Sequence, residues 1–100
     1  MIHKIIWSAM AESQLEQLYE QHIKRSSLKA GKKVVSQIIG EVNMLIEEPY
    51  LGTVVEPLKR DKIVYRKLTA NQYNLLYTVD ETKDLIKIAT VFNSRRYPVI

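Results

Sequence analysis

Residues 63–98 read I-V-Y-R-K-L-T-A-N-Q-Y-N-L-L-Y-T-V-D-E-T-K-D-L-I-K-I-A-T-V-F-N-S-R-R-Y-P. Three short runs rich in Ile, Val, Tyr, Thr and Phe are separated by two polar breaks, Thr69 to Gln72 and Asp80 to Asp84. Such residues suit a pleated, half-buried surface. Breaks this short bring consecutive strands back antiparallel, because parallel pairing needs a crossover of about a dozen residues or more. The stretch is therefore read as three antiparallel strands ending in a basic, aromatic tail. Arg66 falls inside the first strand, and Arg95, Arg96 and Tyr97 follow the last. A twisted sheet can gather such residues at one concave surface, where the guanidinium fork matches phosphate. By residue type alone, arginines in strands and tails are better explained as solvated surface groups.

Upstream, Ile2 to Trp7 alternates weakly and reads as a short strand. Ser8 is placed to cap a helix, with Glu12 favoured in its first turn by the helix dipole. Ala11, Leu15, Leu18 and His22 recur at four, three and four, one helical face. The helix is expected to end near Lys24-Arg25, with Ser26-Ser27 as the break. A second helix is expected from Leu28 to Glu47, its stripe formed by Gly31, Val35, Ile38, Val42 and Leu45, with Val34, Ile39 and Ile46 widening it. Pro49-Tyr50-Leu51-Gly52 stops that helix. Thr53 to Lys62 reads as an irregular connection, since Pro57 argues against a central strand. Leu15, Leu18, Val35, Ile38, Val42, Leu75, Ile86 and Ile88 are the expected core.

The architecture expected is one α+β domain over residues 1–100. An N-terminal strand and a two-helix hairpin precede three strands (β-α-α-β-β-β), and the hairpin packs on one face of a mostly antiparallel sheet. One hundred residues suffice for one modest core. The formal net charge is +4. Residues 1–48 carry six basic and six acidic residues, whereas residues 49–100 carry nine against five. The second half is thus expected to bear the basic surface, suited to a nucleic acid or an acidic protein.

Cysteine is absent, which excludes disulfides, thiol catalysis and thiolate metal sites. The two histidines, His3 and His22, have no neighbour at ligand spacing, so no metal and no cofactor is expected. His22 continues an apolar face and reads as a packed histidine. Ile5-Ile6-Trp7 is far too short for a signal sequence, and no run approaches the ~20 apolar residues of a membrane span. The expectation is a cytoplasmic protein with no membrane partner.

The order of these features resembles a known family. An extended segment ending in Trp7, a helical hairpin and a Pro-x-x-Gly loop precede Y-R-x-L, Y-x-x-x-Y and V-F-N-x-R-R-x-P. This pattern resembles the RelE/ParE superfamily of toxins from bacterial type II toxin–antitoxin (plasmid stabilisation) modules, from Trp7 to Pro98. The resemblance implies growth arrest, and neutralisation by an antitoxin that folds on binding. It implies one of two targets. Similarity to RelE-type ribosome-dependent mRNA endoribonucleases would make Arg66 the phosphate-stabilising group. Arg95 or Arg96 would then be a second clamp and Tyr97 an orienting or proton-transfer group, with Lys59 and Lys62 adding charge. Some such enzymes use a histidine near the C-terminus, whereas this chain has none after His22. The ending R-R-Y-P is closer to ParE-type members, which poison DNA gyrase by binding, and the reading leans that way. A diverged, inactive member that only binds its antitoxin is the third reading.

Overall fold

The computed structural model describes residues 3–56 and 63–95. Its elements are β1 (Lys4–Trp7), α1 (Ala9–Arg25), α2 (Leu28–Asn43), β2 (Thr53–Val54), β3 (Arg66–Ala70), β4 (Tyr73–Asp80) and β5 (Leu85–Asn93). The five strands form one sheet in the order β1-β5-β4-β3-β2. Neighbours pair antiparallel except β1 and β5, which run parallel from Lys4↔Leu85 to Trp7↔Ile88. The α+β order of the expected architecture holds. No helix among the described residues is long and apolar enough to cross a membrane.

Local chemistry sets the helix ends. The Ser8 hydroxyl accepts from Ala11 N at 3.0 Å and donates to Ala89 O at 2.8 Å, so one side chain caps α1 and ties it to β5. Ser27 repeats the cap for α2, accepting from Ala30 N at 3.1 Å. α2 stops at Asn43, earlier than its periodicity suggests. Met44 N bonds back to Glu41 O and Val42 O, and Met44–Ile46 form a tight 3₁₀ turn. Gly31 lets the two helices meet: a Cβ there would stand 2.9 Å from Ile23 Cγ1 and 3.1 Å from the Tyr19 ring. Nothing in the structure explains Gly40, around which a Cβ would find open space.

The hairpin covers one face of the sheet. Leu18, Ile38, Val42, Leu75, Ile86 and Ile88 are buried as expected, while Leu15 and Val35 are half-buried at the margin. Val34 takes the central place that the stripe gave to Val35, because the buried row runs Gly31, Val34, Ile38 and Val42. Tyr77 and Leu45 complete the core at 0% exposure. His22 is a packed histidine, its Nε2 2.8 Å from the Tyr73 hydroxyl with the rings edge to face.

Two expectations about the connection need correction. Thr53 and Val54 are not irregular; they pair with Lys67 and Arg66 as a two-residue edge strand. The first strand of the antiparallel series begins at Arg66 rather than Ile63. Pro57 to Lys62 lie outside the described residues. Both hairpin turns use a non-glycine residue at positive φ, Asn71 at 58° and Asp84 at 53°, two residue types that tolerate this region.

Candidate functional site

The loop at Pro49-Tyr50-Leu51-Gly52 is built on a buried phenol. The Tyr77 hydroxyl donates to Pro49 O at 2.9 Å and accepts from Gly52 N at 2.8 Å. Burial raises its pKa, so it stays a neutral donor. On top of this joint lies Arg66. Its NH1 donates to Gly52 O at 2.8 Å and reaches Tyr50 O at 3.4 Å, and the guanidinium carbon lies 4.9 Å from the centre of the Tyr50 ring. Arg66 shares strand parity with Leu68 and Ala70, both in the core cluster under the hairpin. Its side chain is accordingly turned to the loop at that end of the sheet.

The Tyr50 hydroxyl in turn donates to Glu81 Oε1, which also lies 3.2 Å from His3 Nε2. The bond from Tyr50, then that from His3, holds the Glu81 carboxyl below its usual range, and the same bond to Glu81 raises Tyr50 above the usual phenol range. Tyr50, Arg66 and Glu81 wall a cleft of about 710 Å³ with Ile63, Tyr65, Thr78 and Lys87. Because the folded-state pKa of Glu81 is depressed, its stabilising contribution is present above the ordinary carboxylate range and is lost as pH falls through the lowered value. The melting-temperature difference between wild type and Glu81→Gln is therefore expected at pH 7 and should vanish in acid. A constant difference from pH 7 to 3 would show that Glu81 acts through packing instead.

His3, Glu81 and Asp84 offer ligand atoms within 4.8 Å of one another, the one grouping of this kind among the described residues. The donor set does not favour a metal. His3 Nδ1 is buried with no hydrogen-bond partner, whereas a ligating histidine normally donates its second ring N–H to an acceptor.

The structure separates the arginines that the sequence grouped. Arg66 pairs with Tyr77, which faces Ile88 on β5. Arg95 follows β5 at its far end, past Asn93, so roughly 16 Å of strand lies between the two positions. Arg95 is exposed, and its backbone N–H bonds to Asn93 Oδ1 at 2.9 Å. Lys59, Lys62, Arg96 and Tyr97 lie outside the described residues. Tyr50, Glu81 and His3 escaped the sequence reading because their contacts span 31 and 78 residues. An aromatic residue directly after a helix-stopping proline was the available signal for Tyr50.

The described residues thus form a helical hairpin laid on one face of a small mixed sheet, with a loop-and-strand cleft at one end. The family model for the ParE toxin of the type II toxin–antitoxin system, parDE, matches residues 5–98, and the chain belongs to that family. It is thus a type II toxin of the RelE/ParE superfamily. Among solved structures, the chromosomal ParDE system of P. aeruginosa matches with a TM-score of 0.74 at 18% identity, covering 92% of this chain and 96% of that one. The archaeal RelE–RelB complex of Pyrococcus horikoshii OT3 matches with a TM-score of 0.68 at 14% identity, covering 96% and 99%. The RelBE2 toxin–antitoxin complex of Mycobacterium tuberculosis matches with a TM-score of 0.63 at 18% identity, covering 93% and 99%. No curated protein sequence matches the chain.

Proposed function

We propose that this toxin arrests growth by binding DNA gyrase in the cytoplasm, and that it cuts no RNA. The observation that carries the reading is the match of residues 5–98 to the family model for the ParE toxin, and the cleft's groups agree with it. A general acid or base works best with a pKa near the operating pH. Here the carboxyl is pushed down and the phenol up, each by its bond to the other. Arg66, the residue best suited to stabilise a phosphate, has its NH1 committed to the loop carbonyls. In the β4–β5 turn that carries Glu81, the Asp80 carboxylate accepts from Thr82 N at 3.0 Å and Lys83 N at 3.2 Å. These groups hold the fold, and the reading leaves target binding to exposed surface and to the basic tail.

An antitoxin completes the reading, as in the toxin–antitoxin complexes that this fold resembles. A groove of about 460 Å³ between the helices is lined by Trp7, Leu15, Tyr19, Val35 and Ile39. It suits an amphipathic segment that folds on binding, within an interface of roughly 1,200 Å² or more.

The test is a supercoiling assay with purified gyrase. Added toxin should inhibit supercoiling and trap cleaved plasmid, and the cognate antitoxin should restore activity. Intact supercoiling together with cut messages on translating ribosomes would replace this reading with the endoribonuclease one. Expression that neither slows growth nor touches either target would identify a diverged antitoxin-binding module.

A further inference from the structure

The fold places positive charge where the sequence halves do not. The tip of the helical hairpin, the β3–β4 turn and the end of β5 lie together at one end of the molecule. His22 reaches Tyr73 from α1, and Tyr73 pairs with both Ala70 and Asn93. Within residues 20–33, 69–74 and 91–95 stand Lys24, Arg25, Lys29, Lys32, Lys33 and Arg95, against a single carboxylate, Glu20. All six cations are exposed, and none is in an ion pair among the described residues. The opposite end is close to neutral among the described residues: Glu47, Glu48, Glu56, Asp80, Glu81 and Asp84 stand there with Lys4, Arg66, Lys67, Lys83 and Lys87. Five of the six cations come from the half of the chain whose charges cancel.

α1 sorts its polar residues in the same sense. Glu12, Glu16 and Glu20 follow one another at i, i+4 and i+8, on one flank. Gln14, Gln17, Gln21 and Arg25 lie on the other, where they line a shallow groove of about 210 Å³ with Tyr73 and Asn93. Lys29, Lys32 and Lys33 stand at i, i+3 and i+4 on α2, opposite the buried row of Gly31, Val34 and Ile38. Cations therefore wrap this end, from the outer face of α2 through the hairpin tip to the last residues of β5.

We infer that this basic end is a contact surface for double-stranded DNA. A docking site for an acidic protein normally carries an apolar, aromatic centre within a polar rim. The groove here has Leu18, Tyr73, Val91 and Phe92 in its lining, but the first three are buried. Its glutamines, Asn93 and Arg25 supply most of its open surface, types that hold phosphate and sugar. The unpaired cations supply the sequence-independent attraction, and the charge asymmetry orients the toxin as it approaches. The inference deepens the gyrase reading: the toxin grips the DNA segment that gyrase holds as well as the enzyme.

Binding to naked DNA needs no gyrase, so this test can fail while gyrase poisoning stands, and the reverse. Purified toxin is titrated into a fluorescein-labelled 20-base-pair duplex of random sequence, from about 50 to 200 mM NaCl, and anisotropy is read. The salt slope should fall in magnitude by about 0.9 for each cation lost from a phosphate contact. Lys24→Gln/Arg25→Gln and Lys29→Gln/Lys32→Gln/Lys33→Gln should each weaken binding and flatten the slope. Lys83→Gln/Lys87→Gln at the other end should change neither. All of these positions are exposed, and glutamine is a good helix former, so the helix variants should keep the wild-type melting temperature. No binding at low salt overturns the inference, as does equal loss in the Lys83/Lys87 control. Tighter binding to single-stranded RNA of the same length overturns it in favour of an RNA partner. Loss of antitoxin affinity with unchanged DNA binding assigns the surface to the antitoxin instead.

Discussion

Gly52→Ala is expected to cost on the order of 3 kcal/mol, roughly 12–24 °C in melting temperature for a domain of this size. A Cβ at this position would stand 2.7 Å from Lys67 O and 2.7 Å from the Tyr77 hydroxyl. Neither neighbour can retreat. Lys67 O belongs to a strand paired on both sides, and Tyr77 is fully buried with its hydroxyl held between Pro49 O and Gly52 N. The added methyl must push the loop off β3, which breaks the Tyr77 bond and the bond from Arg66 to Gly52 O. Tyr77→Phe removes the hydroxyl alone. It leaves a buried N–H and a buried carbonyl without partners, at about 1–3 kcal/mol. Because both changes break the same joint, the double variant should fall short of the sum. Urea denaturation checks all three, and an unchanged midpoint for Gly52→Ala would mean that this loop relaxes freely.

The second large effect is functional, and it divides two arginines. If the toxin acts by binding, Arg66→Ala should leave growth arrest intact while lowering the melting temperature, because it removes the bond to Gly52 O and the stack on Tyr50. Removal of residues 95–98 should abolish growth arrest in the same assay and leave the melting temperature near wild type. An endoribonuclease would behave in the opposite way. Arg66→Ala would then eliminate cleaved messages and restore growth while antitoxin binding persists, and the melting temperature would still fall, because the bond to Gly52 O is lost in either case. Arg66→Lys sharpens the test, since it keeps the charge and loses the planar fork. The arrest phenotype is measured by viable counts, and its cause by pulse-labelled protein synthesis and the DNA-damage response. In the binding case synthesis continues at first while the damage response rises.

The fold was legible wherever period and punctuation agree. Ser8 and Ser27 announce helix starts, the α1 and α2 stripes give their buried faces, and the spacing of the two turns fixes three antiparallel strands. The misreadings have separate physical causes. Val34 and Val35 are both apolar, and only the rotation of α2 about its own axis as it packs decides which one is central. Thr53-Val54 pairs because β3 offers it an edge, and no local propensity signals a two-residue strand. The candidate site was the least legible part. Arg66 has the composition of a phosphate clamp, but strand parity and the Pro49–Gly52 loop turn it into a tie. The network through Tyr50, Glu81 and His3 joins three distant stretches, so it exists only once β1 and the β4–β5 turn are side by side. The basic end was hidden for a related reason: charges that cancel along the first half of the chain separate when the hairpin folds, glutamates along one flank of α1 and most cations at the hairpin tip and on the outer face of α2.

The parallel pairing of β1 with β5 also sets an order of events during synthesis. Lys4 to Trp7 are made roughly 80 residues before their partners, Leu85 to Ile88. β1 must wait unpaired while the hairpin and the antiparallel strands form, because closing so long a loop is rewarded only at the end. Ser8, which caps α1 and bonds to Ala89 O, waits with it. Until Leu85 to Ile88 are made, a nascent chain lacks β5 as well as the pairing of β1, and its unsatisfied sheet edge lies on β4. An antitoxin already in the cell has that whole interval in which to meet it, so neutralisation can begin before there is a completed toxin to neutralise.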